Sequence, residues 1–108
     1  MINSRDMRLM IIFDLPLIES YEKKEYRNFR KALIKNGFMM LQFSVYVRAY
    51  NRQINIRDEV RKIEKWLPSS GSIRAIGITE CQWQNMEIVL GNKTFDQVIN
   101  EPKRFIKI

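Results

Sequence analysis

Met7-Arg8-Leu9-Met10-Ile11-Ile12-Phe13-Asp14-Leu15-Pro16 is the stretch of sequence that decides the fold. Every residue between Arg8 and Asp14 is apolar, which is typical of a strand that is buried on both faces of a sheet. The strand ends before Pro16, because proline cannot donate a hydrogen bond to a neighbouring strand. The stretch therefore predicts a central strand with a carboxylate at its end.

The next part of the chain has the spacing of a helix. Tyr26, Phe29 and Leu33 would form the inner stripe of a helix over residues 20–36. Three glutamates come early in this segment, and Arg27, Arg30, Lys31 and Lys35 come late, which complements the helix dipole. Gly37 can end the helix in the left-handed conformation.

Extended structure is predicted over residues 38–48, where apolar residues recur with a period of two. The run is long for one strand, so a bend or a split is expected at Phe43-Ser44. A second helix is predicted over residues 56–67, with Asn55 as its N-cap. After it we predict a strand over residues 73–83, a short partner strand over 86–90 and a terminal strand over 103–108.

This order of elements predicts an α+β fold. It fits a ferredoxin-like βαββαβ sandwich, in which two helices cover one face of an antiparallel sheet, with an extra C-terminal strand. Residues 1–90 would form the ferredoxin-like domain and residues 91–108 a C-terminal tail. The other sheet face would stay uncovered although the strands are rich in apolar residues, so a homodimer packed through the sheets is expected.

The composition excludes several classes of function. No apolar run approaches the roughly 20 residues of a membrane span, and the N-terminus has no apolar signal segment, so we expect a cytoplasmic protein without a membrane partner. The one cysteine, Cys81, fits a reducing compartment and is expected to be a buried thiol in a strand. The absence of histidine excludes a serine-hydrolase triad.

The net charge of +7 favours a polyanionic partner. A solvated surface would explain one basic helix, but both predicted helices carry an excess of cations, which favours contacts to backbone phosphates. Aromatic residues such as Tyr46, Tyr50, Trp66 and Trp83 could stack on bases, although packing in the core or an interface suits their positions better. The candidate nucleic-acid-binding residues are Lys24, Arg27, Arg30, Lys31, Lys35, Arg48 and Arg52.

Asp14 is the candidate for chemistry. A carboxylate at the end of an apolar strand is costly unless it is paired or binds a cation, and carboxylates are the ligands that magnesium prefers. The alternative is that Asp14 caps the following loop or helix through backbone N–H groups. One carboxylate makes a poor nuclease site, but a two-fold axis could bring two copies of Asp14 to a shared Mg²⁺ ion.

Two segments carry a resemblance to a known family. The opening strand with its Asp-Leu-Pro turn resembles the corresponding part of the CRISPR-associated Cas2 family. Gly37-Phe38-Met39-Met40-Leu41-Gln42-Phe43-Ser44-Val45-Tyr46 is similar to that family's second characteristic segment, Gly-Phe followed by Gln-x-Ser-Val-aromatic. The similarity extends over essentially the whole chain.

The resemblance implies a CRISPR adaptation protein, the dimeric subunit of the spacer integration complex that binds double-stranded prespacer DNA and the CRISPR integrase. It implies that the C-terminal strands extend the sheet of the partner copy, with Lys103, Arg104, Phe105 and Ile106 at the dimer interface. It also implies a metal-dependent endonuclease that acts on single-stranded RNA or double-stranded DNA, with Asp14 as its catalytic and Mg²⁺-binding residue.

Three functions remain open at this point. The chain could be a purely non-catalytic DNA scaffold, a magnesium-dependent nuclease that uses a pair of Asp14 residues, or a toxin-like RNA interferase. Arg48-Ala49-Tyr50 stands where many relatives have an acidic residue, which argues against a second metal ligand there. A neighbouring antitoxin gene would favour the interferase, and a repeat array beside an integrase gene would exclude it.

Overall fold

The computed structural model describes residues 6–91. Four strands form one antiparallel sheet in the order β2-β3-β1-β4, which confirms the predicted α+β, ferredoxin-like fold. None of the helices within these residues is long and apolar enough to cross a membrane. The elements are β1 (Met7–Asp14), α1 (Ser20–Lys35), β2 (Met39–Gln42), β3 (Val45–Tyr50), α2 (Ile56–Ile63), β4 (Ser72–Thr79) and α3 (Glu80–Gln84), with a 3₁₀ turn (Glu64–Trp66) after α2.

The core lies between the sheet and the first two helices. Leu9, Ile11 and Phe13 project from one side of β1 and are buried against Phe29 and Leu33 of α1. The ring of Phe13 meets Phe29 edge to face, with the ring centroids 5.3 Å apart. We call this the inner face of the sheet.

The outer face of the sheet is apolar but only partly covered by residues 6–91. Ile12 of β1, Met39 of β2 and Ile76 of β4 remain 41%, 47% and 50% exposed. The expectation that β1 is buried on both faces is therefore wrong for a single chain. Residues 86–91 lie beside this face and, with Ile12 and Val45, line an open groove.

The predicted split of the second extended segment is confirmed. β2 and β3 form a hairpin whose turn is Phe43-Ser44, and Ser44 takes a positive φ of 64°. Its carbonyl accepts a hydrogen bond of 2.9 Å from the N–H of Phe13. Gly37, with φ 92°, follows α1 as predicted, and the Asn55 side chain caps α2 by accepting from the N–H of Asp58.

The region after β4 differs from the prediction. The strand ends at Thr79 and not at residue 83, because Thr79 and Gln82 form a capping box that starts α3. Residues 86–90 do not form a strand. Cys81 consequently lies on a helix and is exposed, so its prediction as a buried strand thiol is wrong. Lys103, Arg104, Phe105 and Ile106, and the terminal strand to which they were assigned, lie outside the described residues.

Candidate nucleic-acid interface

Asp14 ends β1 on the outer face of the sheet. It lies two residues after Ile12 on the same face, opposite Ser72 of β4, and it is exposed. The turn that follows is packed tightly, because a Cβ atom on Gly71 would lie 2.8 Å from the carbonyl oxygen of Asp14. The strand end and the loop before β4 thus fix the backbone that carries this carboxylate.

The carboxylate of Asp14 has no hydrogen bond or ion pair to any residue between 6 and 91. Helix α1 is capped instead by Glu19 and Glu22, and one Glu22 oxygen accepts from the N–H groups of Ile18 and Glu19 at 3.0 and 2.8 Å. The alternative that Asp14 caps this helix is therefore wrong. Over the same residues, no group of three or more carboxylate, histidine or cysteine side chains could hold a metal ion.

The cations of α1 form a row on its solvent side. Lys24, Arg27, Lys31 and Lys35 are exposed, and none of them makes an ion pair within the described part of the chain. They recur at helical spacing and lie opposite Phe29 and Leu33, which face the core. We call these four residues the α1 ridge.

Arg30, which was predicted with this group, has a different environment. Its Nε donates a hydrogen bond of 2.7 Å to the hydroxyl of Tyr46, and Tyr46 is fully buried. A buried phenol needs such a partner. Arg30 therefore helps to fix β3 under α1, although the residue remains exposed, whereas the four cations of the α1 ridge have no such partner within the described residues.

Arg48 and Arg52, the other predicted cations, meet at Tyr50. Their guanidinium carbons lie 4.6 and 5.3 Å from the centroid of the Tyr50 ring. The hydroxyl of Tyr50 donates a hydrogen bond of 2.9 Å to Glu59, a buried carboxylate of α2. Sequence reasoning missed Glu59, although its position three residues after Ile56 and four before Ile63 places it on the inner stripe of α2.

Electrostatics favour a charged carboxylate at Glu59 and a neutral phenol at Tyr50. Burial opposes ionisation of Glu59, but hydrogen bonds from Lys62 and Tyr50 and the nearby charges of Lys62 and Arg52 hold the pKa of its carboxyl below the usual range. Burial and the hydrogen bond to Glu59 raise the pKa of Tyr50 to about 12. At neutral pH the carboxylate of Glu59 is therefore negatively charged, and it lies among the cations Arg52 and Lys62.

Comparison with known proteins shows consistent similarity. The sequence profile of the family described as CRISPR associated protein Cas2 matches residues 7–86. A protein of Ligilactobacillus salivarius is 47% identical over 100 residues, covering 93% of this chain and 98% of the relative. Relatives from Campylobacter jejuni and Lacticaseibacillus rhamnosus are 39% and 38% identical, covering 93% and 94% of this chain and 70% and 100% of their own lengths. All three are named CRISPR-associated endoribonuclease Cas2.

Proposed function

This chain belongs to the CRISPR associated protein Cas2 family, and from that premise we propose that it is the dimeric subunit of the spacer integration complex that binds double-stranded prespacer DNA. Membership supports a role in CRISPR adaptation, and the names of the relatives support nuclease activity in general. The proposed partners are a second copy of this chain, the CRISPR integrase and a nucleic acid.

The α1 ridge is the observation that carries this proposal. Its four cations are exposed and unpaired in the described part of the chain, and they extend along one side of a helix. A row of cations at this spacing matches a phosphate backbone better than it matches a compact anion, because successive phosphates can each meet one side chain. Such contacts depend on charge and not on base identity.

The outer face supports the dimer. Ile12, Met39 and Ile76 expose apolar surface on this face, and soluble monomers rarely expose large contiguous apolar patches. A two-fold contact there would bury these residues. It would also place two copies of Asp14 on the same interface, because Asp14 shares the face of Ile12.

Nuclease activity is the second part of the proposal, with Asp14 as the residue that binds Mg²⁺. Asp14 fits this role because it is exposed and has no protein partner among residues 6–91. It does not suffice alone, so the site would need the second copy of Asp14. When bound, magnesium would supply a polarised phosphate oxygen and an acidified water. The chain's own part is to present the two carboxylates on fixed strand ends.

The test compares wild-type protein with Asp14→Asn, incubated with duplex DNA and with single-stranded RNA, with and without Mg²⁺. Asp58→Asn is a matched control, because Asp58 is an exposed carboxylate on α2. We expect magnesium-dependent cleavage by wild type and the control, and none by Asp14→Asn. Duplex binding without cleavage by any variant would make the protein a non-catalytic scaffold, which is the second candidate function.

The toxin-like interferase is the least supported alternative. Membership in a CRISPR-associated family favours a function tied to CRISPR, whereas an interferase would cleave RNA without any role for duplex DNA. Binding of duplex DNA by the α1 ridge would favour the adaptation subunit over the interferase. Robust RNA cleavage without measurable duplex binding would favour the interferase instead.

A further inference from the structure

Three cations from three different segments converge on the Tyr50–Glu59 pair. Arg48 comes from β3, Arg52 from the loop that follows it, and Lys62 from α2. The Nζ of Lys62 lies 3.1 Å from Oε2 of Glu59, and an Nη of Arg52 lies 3.8 Å from the same oxygen. We call these five residues the Tyr50 cluster, and its cations outnumber its single carboxylate.

The two arginines of the cluster lie close to the ring of Tyr50 and keep most of their N–H donors available. A guanidinium has five such donors, and its attraction to an aromatic ring uses its positive charge and not its hydrogen bonds. Arg48 has no hydrogen bond or ion pair among residues 6–91. Within the same residues Arg52 donates only to the carbonyl of Gln53, at 3.2 Å, beside its loose contact with Glu59. Planar, preordered donors of this kind suit a phosphate.

Arg52 and Lys62 are open to solvent, and Arg48 is half-buried. The side chains of Arg52 and Lys62 are 55% and 59% exposed, whereas that of Glu59 is 6% exposed. The negative charge is thus at the bottom of the cluster and the positive charges are at its surface. An approaching anion meets the cations first.

The cluster continues the α1 ridge. Gly37 follows the end of α1, and a Cβ atom at Gly37 would lie 3.3 Å from Nε of Arg48. Glycine at this position lets the Arg48 side chain lie directly against the backbone that follows Lys35. Arg48 therefore lies at the C-terminal end of α1, where the α1 ridge also ends, so we expect one extended polyanion to reach both the ridge and the Tyr50 cluster.

We infer that Arg48, Arg52 and Lys62 form a binding site for a phosphodiester group of a nucleic-acid backbone, in which Tyr50 positions the arginines and Glu59 is a competing anion. The phosphate would take over donors that Arg52 and Lys62 now direct toward Glu59. This inference rests on the proposed function, because the phosphate belongs to the nucleic acid that the α1 ridge contacts. It adds Lys62 and Glu59, on a second helix, to the surface that meets the ligand.

The experiment measures binding of duplex DNA, and of single-stranded RNA, at several salt concentrations by fluorescence anisotropy. Arg52→Gln and Lys62→Gln each remove one exposed cation and should lower the slope of log affinity against log salt by about 0.9 for the duplex, or about 0.7 for the single strand. Arg61→Gln is the matched control. Arg61 is an exposed neighbour on α2 whose position is about 200° around the helix from Glu59, so the slope should not change.

Glu59→Gln provides a readout that a purely structural carboxylate would not give. Glutamine can still accept from Tyr50, but it no longer competes with the phosphate for the cations. We expect binding to become about two- to fivefold tighter at low salt, the range of one ion pair whose cation is exposed to solvent. Weaker binding by a folded Glu59→Gln protein would show that Glu59 does not compete with the phosphate for these cations.

The two proposals fail in different ways. If ridge variants weaken binding while Arg52→Gln and Lys62→Gln behave like Arg61→Gln, the Tyr50 cluster is not a phosphate site and the proposed function stands. If wild type binds neither nucleic acid, both proposals are wrong. Thermal unfolding of each variant shows whether the protein is still folded. A decrease in the slope of log affinity against log salt in a folded variant then reflects lost phosphate contacts.

Discussion

Arg8 and Glu80 form a bidentate ion pair on the outer side of the sheet, with both N–O distances at 2.8 Å. The two residues are 4% and 9% exposed, and the Arg8 guanidinium lies 4.3 Å from the centroid of the Trp83 ring. This contact holds the short helix α3 against β1. It also determines where the chain leaves the sheet after β4, just before residues 86–91 reach the outer face.

Removal of the carboxylate should destabilise the fold. Glu80→Ala leaves the buried Arg8 guanidinium without this partner, and loss of one member of a buried pair costs about 3–5 kcal/mol. Urea denaturation should show this loss in the free energy of unfolding. Glu87→Ala, at an exposed glutamate, should change it by less than about 0.5 kcal/mol. Equal effects of the two substitutions would show that the ion pair contributes little.

Stability should also depend on acid pH. Hydrogen bonds from Arg8 hold the pKa of the Glu80 carboxyl below its usual range, although burial opposes this. A carboxyl whose pKa is lower in the folded state stabilises the protein above its unfolded pKa of about 4.3, and this contribution is lost as the pH falls further. The melting temperature of wild type should therefore fall below about pH 4. The fall should be shallower for Glu80→Gln, and identical pH profiles would contradict the prediction.

The α1 ridge should account for much of the duplex binding. Arg27→Glu with Lys31→Glu reverses two exposed charges that face away from the core, so the fold should persist while duplex affinity falls. The slope of log affinity against log salt should decrease by about 2, one for each lost phosphate contact. Arg57→Glu with Arg61→Glu, which reverses two exposed charges on α2, is the control. An unchanged slope in the ridge variant would exclude this surface.

The outer face should mediate self-association. Ile76 on this face and Leu67 on the helical side are 50% and 49% exposed, so Ile76→Lys and Leu67→Lys are a matched pair. We expect sedimentation of Ile76→Lys as a monomer and of Leu67→Lys as a dimer, because a lysine in the centre of a sheet contact would be buried without a partner. A dimer of unchanged affinity in Ile76→Lys would rule out packing through this face.

Two glycines allow steric crowding at Asp14 to be separated from backbone strain. Gly71 and Gly91 both have positive φ angles, 107° and 121°. A Cβ atom at Gly71 would approach the Leu15 side chain and the Asp14 carbonyl, whereas one at Gly91 would meet no atom of residues 6–91 within 4 Å. Gly91→Ala should cost about 1–2 kcal/mol from φ alone, and Gly71→Ala about 1–3 kcal/mol more from overpacking. If thermal denaturation shows equal losses of stability for the two variants, the turn after Asp14 can accommodate the added Cβ atom by a small shift.

Local patterns explain which parts of the fold could be predicted from sequence. The central position of β1, the stop at Gly37 and the cap at Asn55 each follow from a few neighbouring residues, and these three predictions are confirmed, whereas burial of β1 on both faces is not. Helix α3 was missed because the apolar residues before it continue the period of a strand. The signal that could have revealed it is Thr79 followed three residues later by Gln82, which is a capping-box pattern.

The candidate site was harder to predict, because its contacts join distant segments. The position of Asp14 follows from the end of β1, and the helical spacing of the α1 ridge is visible in the sequence. The convergence of Arg48, Arg52 and Lys62 on the Tyr50–Glu59 pair depends on how α2 packs on the sheet, which no local pattern specifies. The role of Arg30 as a donor to Tyr46 likewise depends on tertiary packing and not on composition.

The exposed position of Cys81 has a practical consequence. It is the single thiol of the chain, and it sits on α3, which the Arg8–Glu80 pair fixes to the sheet. A maleimide spin label would therefore attach at one rigid place in each copy. In a symmetric pair of subunits, two such labels would report one sharp separation, and a broad distribution would indicate that the copies are not held in a single arrangement.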